Sequence, residues 1–170
     1  MLKIAGSILI LFGAGGYGSC LCNYLKQHLK QLLTFRDIFV QMDSGRECLR
    51  LPYSQLLRRT ATGKSKLFSE ILLQIAEEME KNREADVGIL WTEALEERKK
   101  EILLKEEELS LIITLGKNIA YEGKSTKVCE IYFMQLEDKI VQAMDEKKEK
   151  QKLYGSVSLL GGLFLVILLL

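Results

Sequence analysis

Charged residues are confined to the middle of this chain. Ile4 to Leu25 and Leu153 to Leu170 carry none, while every acid and every base except Lys3 falls between Lys26 and Lys152. As helices these apolar runs span roughly 33 and 27 Å, close to the ~30 Å hydrocarbon thickness of a bilayer, so both are expected to be transmembrane helices. In the second, the Leu, Val, Ile and Phe side chains favour insertion by about 4–7 kcal/mol in sum, enough to outweigh its Gly and Ser residues. A cleaved signal sequence fits the first run poorly, because such a sequence needs its positive charge before the apolar stretch. Tyr17 also stands where a lipoprotein site ahead of Cys20 usually has Leu.

Between the two runs the apolar positions repeat with a helical period. Leu67, Phe68, Ile71, Leu72, Ile75, Ala76 and Met79 share one face of a helix predicted over 65–81, with Ser65 as N-cap. Upstream, 26–49 reads as a helix continuing out of the first run, with Leu29, Leu32, Leu33, Phe39 and Met42 inward. Pro52 suits the first turn of a short helix. Asp86 caps a helix to about Glu97 whose Leu90, Trp91, Ala94 and Leu95 share a side, and Trp91 reads as a core anchor. Glu106, Glu107 and Glu108 favour another helix start through its dipole, as a solvated acidic turn, with Leu109, Ile112, Ile113 and Ile119 inward. From about Thr126 a last helix carries Cys129, Phe133, Leu136, Ile140 and Ala143 as one stripe, and nothing interrupts it before the second run. Ile131, Met134 and Val141 lie on its opposite side, either as scattered surface apolars or as candidate partner contacts. The fold expected is all-α, a bundle of about six helices over 26–152 flanked by transmembrane helices at 1–25 and 153–170.

Charge refines this picture. The 127 residues of the centre have no net charge, which excludes the electrostatic footprint of a nucleic-acid binder. Lys26, Lys30 and Arg36 follow the first run, and Lys147, Lys148, Lys150 and Lys152 precede the second. That excess places the centre in the cytoplasm, with the last four lysines facing the lipid surface. Small residues offer close helix approach inside the membrane: Ala14, Gly18 and Cys22 form one ridge, Ser158 and Gly162 a counterpart. Four cysteines without a C-x-x-C and a single His, His28, give neither a disulfide framework nor a zinc site. His28 reads as a polar residue at the membrane edge.

Two motifs imitate nucleotide sites. Gly13 to Gly18 fits G-x-G-x-x-G with Asp37 about 20 residues on, but a dinucleotide site also needs a preceding strand and a parallel sheet. Thr62-Gly63-Lys64-Ser65 resembles the end of a phosphate-binding loop, yet Arg58 stands where its first glycine would be. Lys64 reads instead as an exposed charge. No cofactor, metal or catalytic residue is expected.

The start Met1-Leu2-Lys3-Ile4-Ala5-Gly6, the Leu51-Pro52 step, Leu67-Phe68, Trp91-Thr92-Glu93-Ala94-Leu95, Leu115-Gly116-Lys117 and the ending from Lys152-Leu153-Tyr154-Gly155 to Leu170 closely resemble the stage III sporulation protein AB family. The stretch Ala120 to Val128 departs from that family's pattern. The resemblance implies a non-enzymatic scaffold of the channel complex joining mother cell and forespore, with a cytoplasmic domain similar to platform protein F of type II secretion machines. It implies, as partners, the stage III sporulation protein AA ATPase, other membrane proteins of the same operon and the mother-cell membrane itself, with no nucleic acid and no small-molecule substrate. A membrane-anchored nucleotide- or dinucleotide-binding enzyme and a generic membrane adaptor are the alternatives.

Overall fold

Six α-helices and no strand make up the described residues of the computed structural model: α1 Leu2–Leu49, α2 Tyr53–Ala61, α3 Lys66–Lys81, α4 Val87–Glu97, α5 Glu106–Ala120 and α6 Thr126–Leu169. The structure describes the backbone of 2–49, 51–82, 84–120 and 126–169. Side chains are described for 13, 16, 18–46, 51–82, 84–120, 128–154, 156, 157, 160, 161, 163, 164 and 167. Helix-forming periodicity therefore prevailed throughout, and the two apolar runs are parts of α1 and α6 rather than separate elements. The chain divides into two compact units, Lys30–Ile140 and a second made of Met1–Leu29 with Val141–Leu170.

Within Lys30–Ile140, aromatic side chains from three helices meet. Phe35 and Phe39 of α1 are fully buried. Phe35 meets Phe68 of α3 edge-on at 5.0 Å between ring centroids, and Phe39 lies 5.7 Å from Trp91 of α4. Such offset and edge contacts add roughly 0.5–1.5 kcal/mol beyond the area they bury. The inward stripe of α1 is Leu32, Phe35, Ile38, Phe39 and Met42, and Leu33 is corrected to the outside at 43% exposure. Steps of three and four keep the stripe on one side. Leu33, 100° round from Leu32, falls off its edge.

Helix starts are fixed by local chemistry. The Asp86 carboxylate accepts the Gly88 and Ile89 N–H groups at 2.7 and 3.2 Å, two of the orphan donors of α4. Ser65 occupies the N-cap position of α3 in extended conformation, but its side chain makes no capping bond. Pro52 stands one residue earlier than a first-turn proline, as the N-cap of α2, its carbonyl accepting from Leu56 N–H at 3.1 Å. The acidic start of α5 is only partly solvated: Glu108 is 2% exposed and accepts the Lys105 N–H at 2.8 Å, one half of a capping box. At the other end of α5, Arg46 donates to the Ile119 carbonyl at 3.2 Å, satisfying a group the helix leaves open.

The segment between α4 and α5 is pinned by one side-chain amide. Gln31 donates to the Glu101 carbonyl at 3.1 Å and accepts from the Leu103 N–H at 2.7 Å. Ion pairs tie the remaining surfaces: Arg58 of α2 holds Glu80 of α3 through two bonds of 3.0 and 2.7 Å, Arg98 meets Glu70 at 2.7 Å, and Lys139 of α6 meets Glu107 of α5 at 2.9 Å. Exposed pairs of this kind contribute up to about 1 kcal/mol each, so the buried apolar stripes dominate.

In the other unit, Leu25, Leu29 and Ala143 are buried, and so is His28 at 3% exposure. His28, expected as a polar residue at the membrane edge, is buried and partnered. Among the described residues no helix is long and apolar enough to cross a membrane. Much of what carried that expectation, including the side chains of 4–12, lies outside the described residues.

Candidate functional site

The two nucleotide-like motifs disappear into structural roles, and they do so together. Residues 13–18 lie within α1, so no strand leads into them and no phosphate-binding turn follows. Gly63 has φ +84°, a left-handed turn conformation that glycine adopts freely, between α2 and α3. It delivers Lys64 onto α1, where the ammonium pairs with the carboxylate of Asp37. Thus the acid of the false dinucleotide fingerprint holds the lysine of the false phosphate loop. The Lys64 side chain is only 8% exposed, which corrects its reading as a free surface charge. The Lys64 bond, aided by Gln41, holds the Asp37 carboxyl below the usual carboxylate range despite partial burial.

Two further reactive groups, Cys129 and Tyr53, point inward. Burial pushes the Cys129 thiol up, away from the thiolate form a nucleophile needs. Tyr53 donates to the Gly116 carbonyl at 2.8 Å and accepts from Trp91 Nε1 at 3.0 Å, and burial raises its phenol strongly. Among the described residues no cluster of His, Cys, Asp or Glu could hold a metal ion.

The small-residue ridges are described only in part: Gly18 is buried and Cys22 half-buried, whereas the side chains of Ala14, Ser158 and Gly162 lie outside the described residues. Among the described residues an added Cβ at Gly13, Gly16 or Gly161 would meet nothing within 4 Å. The four lysines before the second apolar run differ. Lys148 lies 3.7 Å from Asp145 and Lys150 pairs with Glu146, while Lys147 and Lys152 make no ion pair among the described residues.

What remains open on the surface is apolar. Ile131, Met134 and Val141 are 54, 68 and 53% exposed, and Met134 is the most exposed large apolar side chain among the described residues. Beside Met134 a groove of about 440 Å³ runs between α1 and α6, lined by Val40, Asp43, Ser44, Glu130, Phe133 and Met134. The helices are antiparallel here: Arg36, Val40 and Asp43 going down α1 meet Glu137, Phe133 and Glu130 going back along α6. Phe133 belongs to the expected inward stripe but is half-buried and forms the groove wall. The α1 half of the groove escaped the sequence reading. An exposed Val40 two turns from Leu33 is a weak signal, since isolated surface apolars are common.

Comparison with known proteins supplies the family: the family model described as Stage III sporulation protein AB matches residues 3–170. The chain belongs to the stage III sporulation protein AB family. Neither curated proteins nor solved structures gave a match. Family membership makes the chain a stage III sporulation protein. Of the stretch expected to depart from the family's pattern, 121–125 lies outside the described residues.

Proposed function

We propose that this member of the stage III sporulation protein AB family is a non-enzymatic membrane scaffold of the mother cell–forespore channel complex. In this reading α1 and α6 enter the mother-cell membrane through their apolar ends, and the helical unit 30–140 stands in the mother-cell cytoplasm, where it couples the stage III sporulation protein AA ATPase to the operon's membrane components. The observation that carries the reading is an exposed apolar row on α6. Leu153, Val157, Leu160, Leu163, Phe164 and Ile167 are each 51–64% exposed, with no charged residue among them. A face so apolar needs a non-aqueous neighbour, and a bilayer supplies one. The structural employment of Lys64 and of 13–18 supports a scaffold over the nucleotide-binding alternative.

Topology and partnership test the reading separately. A reporter fused after Leu170 should be active outside the cytoplasm and one inserted at Gly63 inside. The reverse pattern would overturn the orientation. Affinity purification of the tagged full chain from sporulating cells should bring the AA ATPase with it, and a purification that repeatedly yields the membrane components without the ATPase would remove the coupling role.

A further inference from the structure

Six residues of α6 between Val128 and Ile140 are exposed: Val128, Glu130, Ile131, Met134, Gln135 and Asp138. Three are apolar, two are acidic, and none is basic. On α1, Val40 lines the groove and Leu33, two turns earlier on the same side, is also exposed. Among the described residues of unit 30–140, every exposed large apolar side chain except Ile89 stands on these two helices. Solvent-facing apolar residues are ordinarily scattered, so their concentration on one antiparallel pair marks a contact surface.

Charge says what the contact must carry. Among the described residues the bases beside this surface are engaged, Arg36 with Glu137 and Arg46 with Asp43 at 3.6 Å. Glu130 and Asp138 make no ion pair among the described residues, and the surface is left with an acidic excess on either side of Met134. The two acids are eight residues apart on one helix, or ~12 Å. A helix lying along α6 would bring residues seven or eight apart opposite them, with an apolar residue between these over the groove. We infer that this face docks a basic amphipathic helix of another protein, two Lys or Arg about two turns apart meeting Glu130 and Asp138 while a Leu- or Met-like side chain enters the groove between Val40, Phe133 and Met134. Helix-in-groove recognition uses such apolar anchors, and an unbranched Met adapts its shape to the guest. The inference does not depend on which protein supplies the helix, nor on the ATPase coupling.

The test uses the full chain in non-ionic detergent and a fluorescein-labelled helical peptide of about three to four turns, with one Leu centred between two Lys placed to match Glu130 and Asp138. A twin with Glu in place of both Lys is the comparison. Binding read by anisotropy should favour the Lys peptide at least tenfold, weaken several-fold between low and high salt, and fall at least tenfold in Met134→Gln and in Glu130→Gln/Asp138→Gln. Ile89→Gln, on α4, should change nothing. All these positions are exposed, so unchanged circular dichroism is expected for every variant. Absence of Lys-peptide binding, equal binding of both peptides, or equal weakening by Ile89→Gln would overturn the inference. So would sedimentation showing self-association of the full chain abolished by Met134→Gln, which would assign the face to a second copy, or anisotropy reproduced by protein-free micelles.

Discussion

Gly116 of α5 lies against the indole of Trp91: a Cβ added there would stand 2.5 Å from Cε2 and 2.6 Å from Cδ2. Trp91 has no exposed surface and its ring cannot fold away, so the absence of a side chain at position 116 sets how closely α5 approaches α4. Gly116→Ala should therefore destabilise by roughly 1–3 kcal/mol, although alanine is the better helix former. Urea unfolding of the full chain in detergent measures this, and a stabilised variant would mean the helices separate at no cost.

Tyr53 completes the same contact from α2. Its hydroxyl relays a hydrogen bond from Trp91 to the Gly116 carbonyl, so Tyr53→Phe leaves the buried indole N–H without a partner. A loss of about 1–3 kcal/mol is expected, together with a changed Trp91 fluorescence spectrum, because the indole N–H is the group released.

Lys64 and Asp37 should couple. Lys64→Ala, Asp37→Ala and the double variant are expected to give a coupling energy of roughly 0.5–1 kcal/mol in urea unfolding. Nucleotide affinity should be undetectable by calorimetry in the parent chain as in the variants. A measurable ATP affinity lost on Lys64→Ala would falsify the scaffold reading.

Acid should weaken the helical unit through three carboxylates. Lys64 lowers Asp37 from its ordinary 3.8, and Arg58 and Lys139 lower Glu80 and Glu107 from 4.5. Because each binds its proton less readily when folded, the unfolded chain takes up protons first as pH falls. Their stabilisation is complete above the ordinary carboxylate range and is lost as pH drops through the lower, folded-state values. Lys139, raised by Glu107, keeps its share until the pH climbs past the ordinary lysine value of 10.5. The urea midpoint measured from pH 6 to pH 2 should fall mainly below about pH 4, and Glu107→Gln should flatten part of that fall.

Lysines before the second apolar run should contribute unequally to membrane orientation if the topology proposed above holds. Lys147 and Lys152 make no ion pair among the described residues, whereas Lys148 and Lys150 face acids on their own helix. Reversal of Lys147 and Lys152 to Glu should shift a reporter after Leu170 toward the cytoplasm more than reversal of the other pair, at about 1 kcal/mol of lipid attraction per lysine.

The sequence by itself determined the six helices, the Asp86 cap, the burial of Trp91 and the exposure of Ile131 and Met134. Each follows from residues within a few turns of one another, where helical period and capping chemistry leave little freedom. Tertiary structure alone decided the rest. Leu33 faces outward and Phe35 inward because of the direction from which other helices cover α1, which one helix's pattern constrains only to within a residue. Glu108 is buried although Glu106 and Glu107 are exposed. Lys64 is bound to Asp37, 27 residues away in sequence, and Val40 lines a groove with residues more than 90 positions later in the chain. Pairings of that kind are set by how helices cross, and crossing is a property of whole packed surfaces that no local motif encodes.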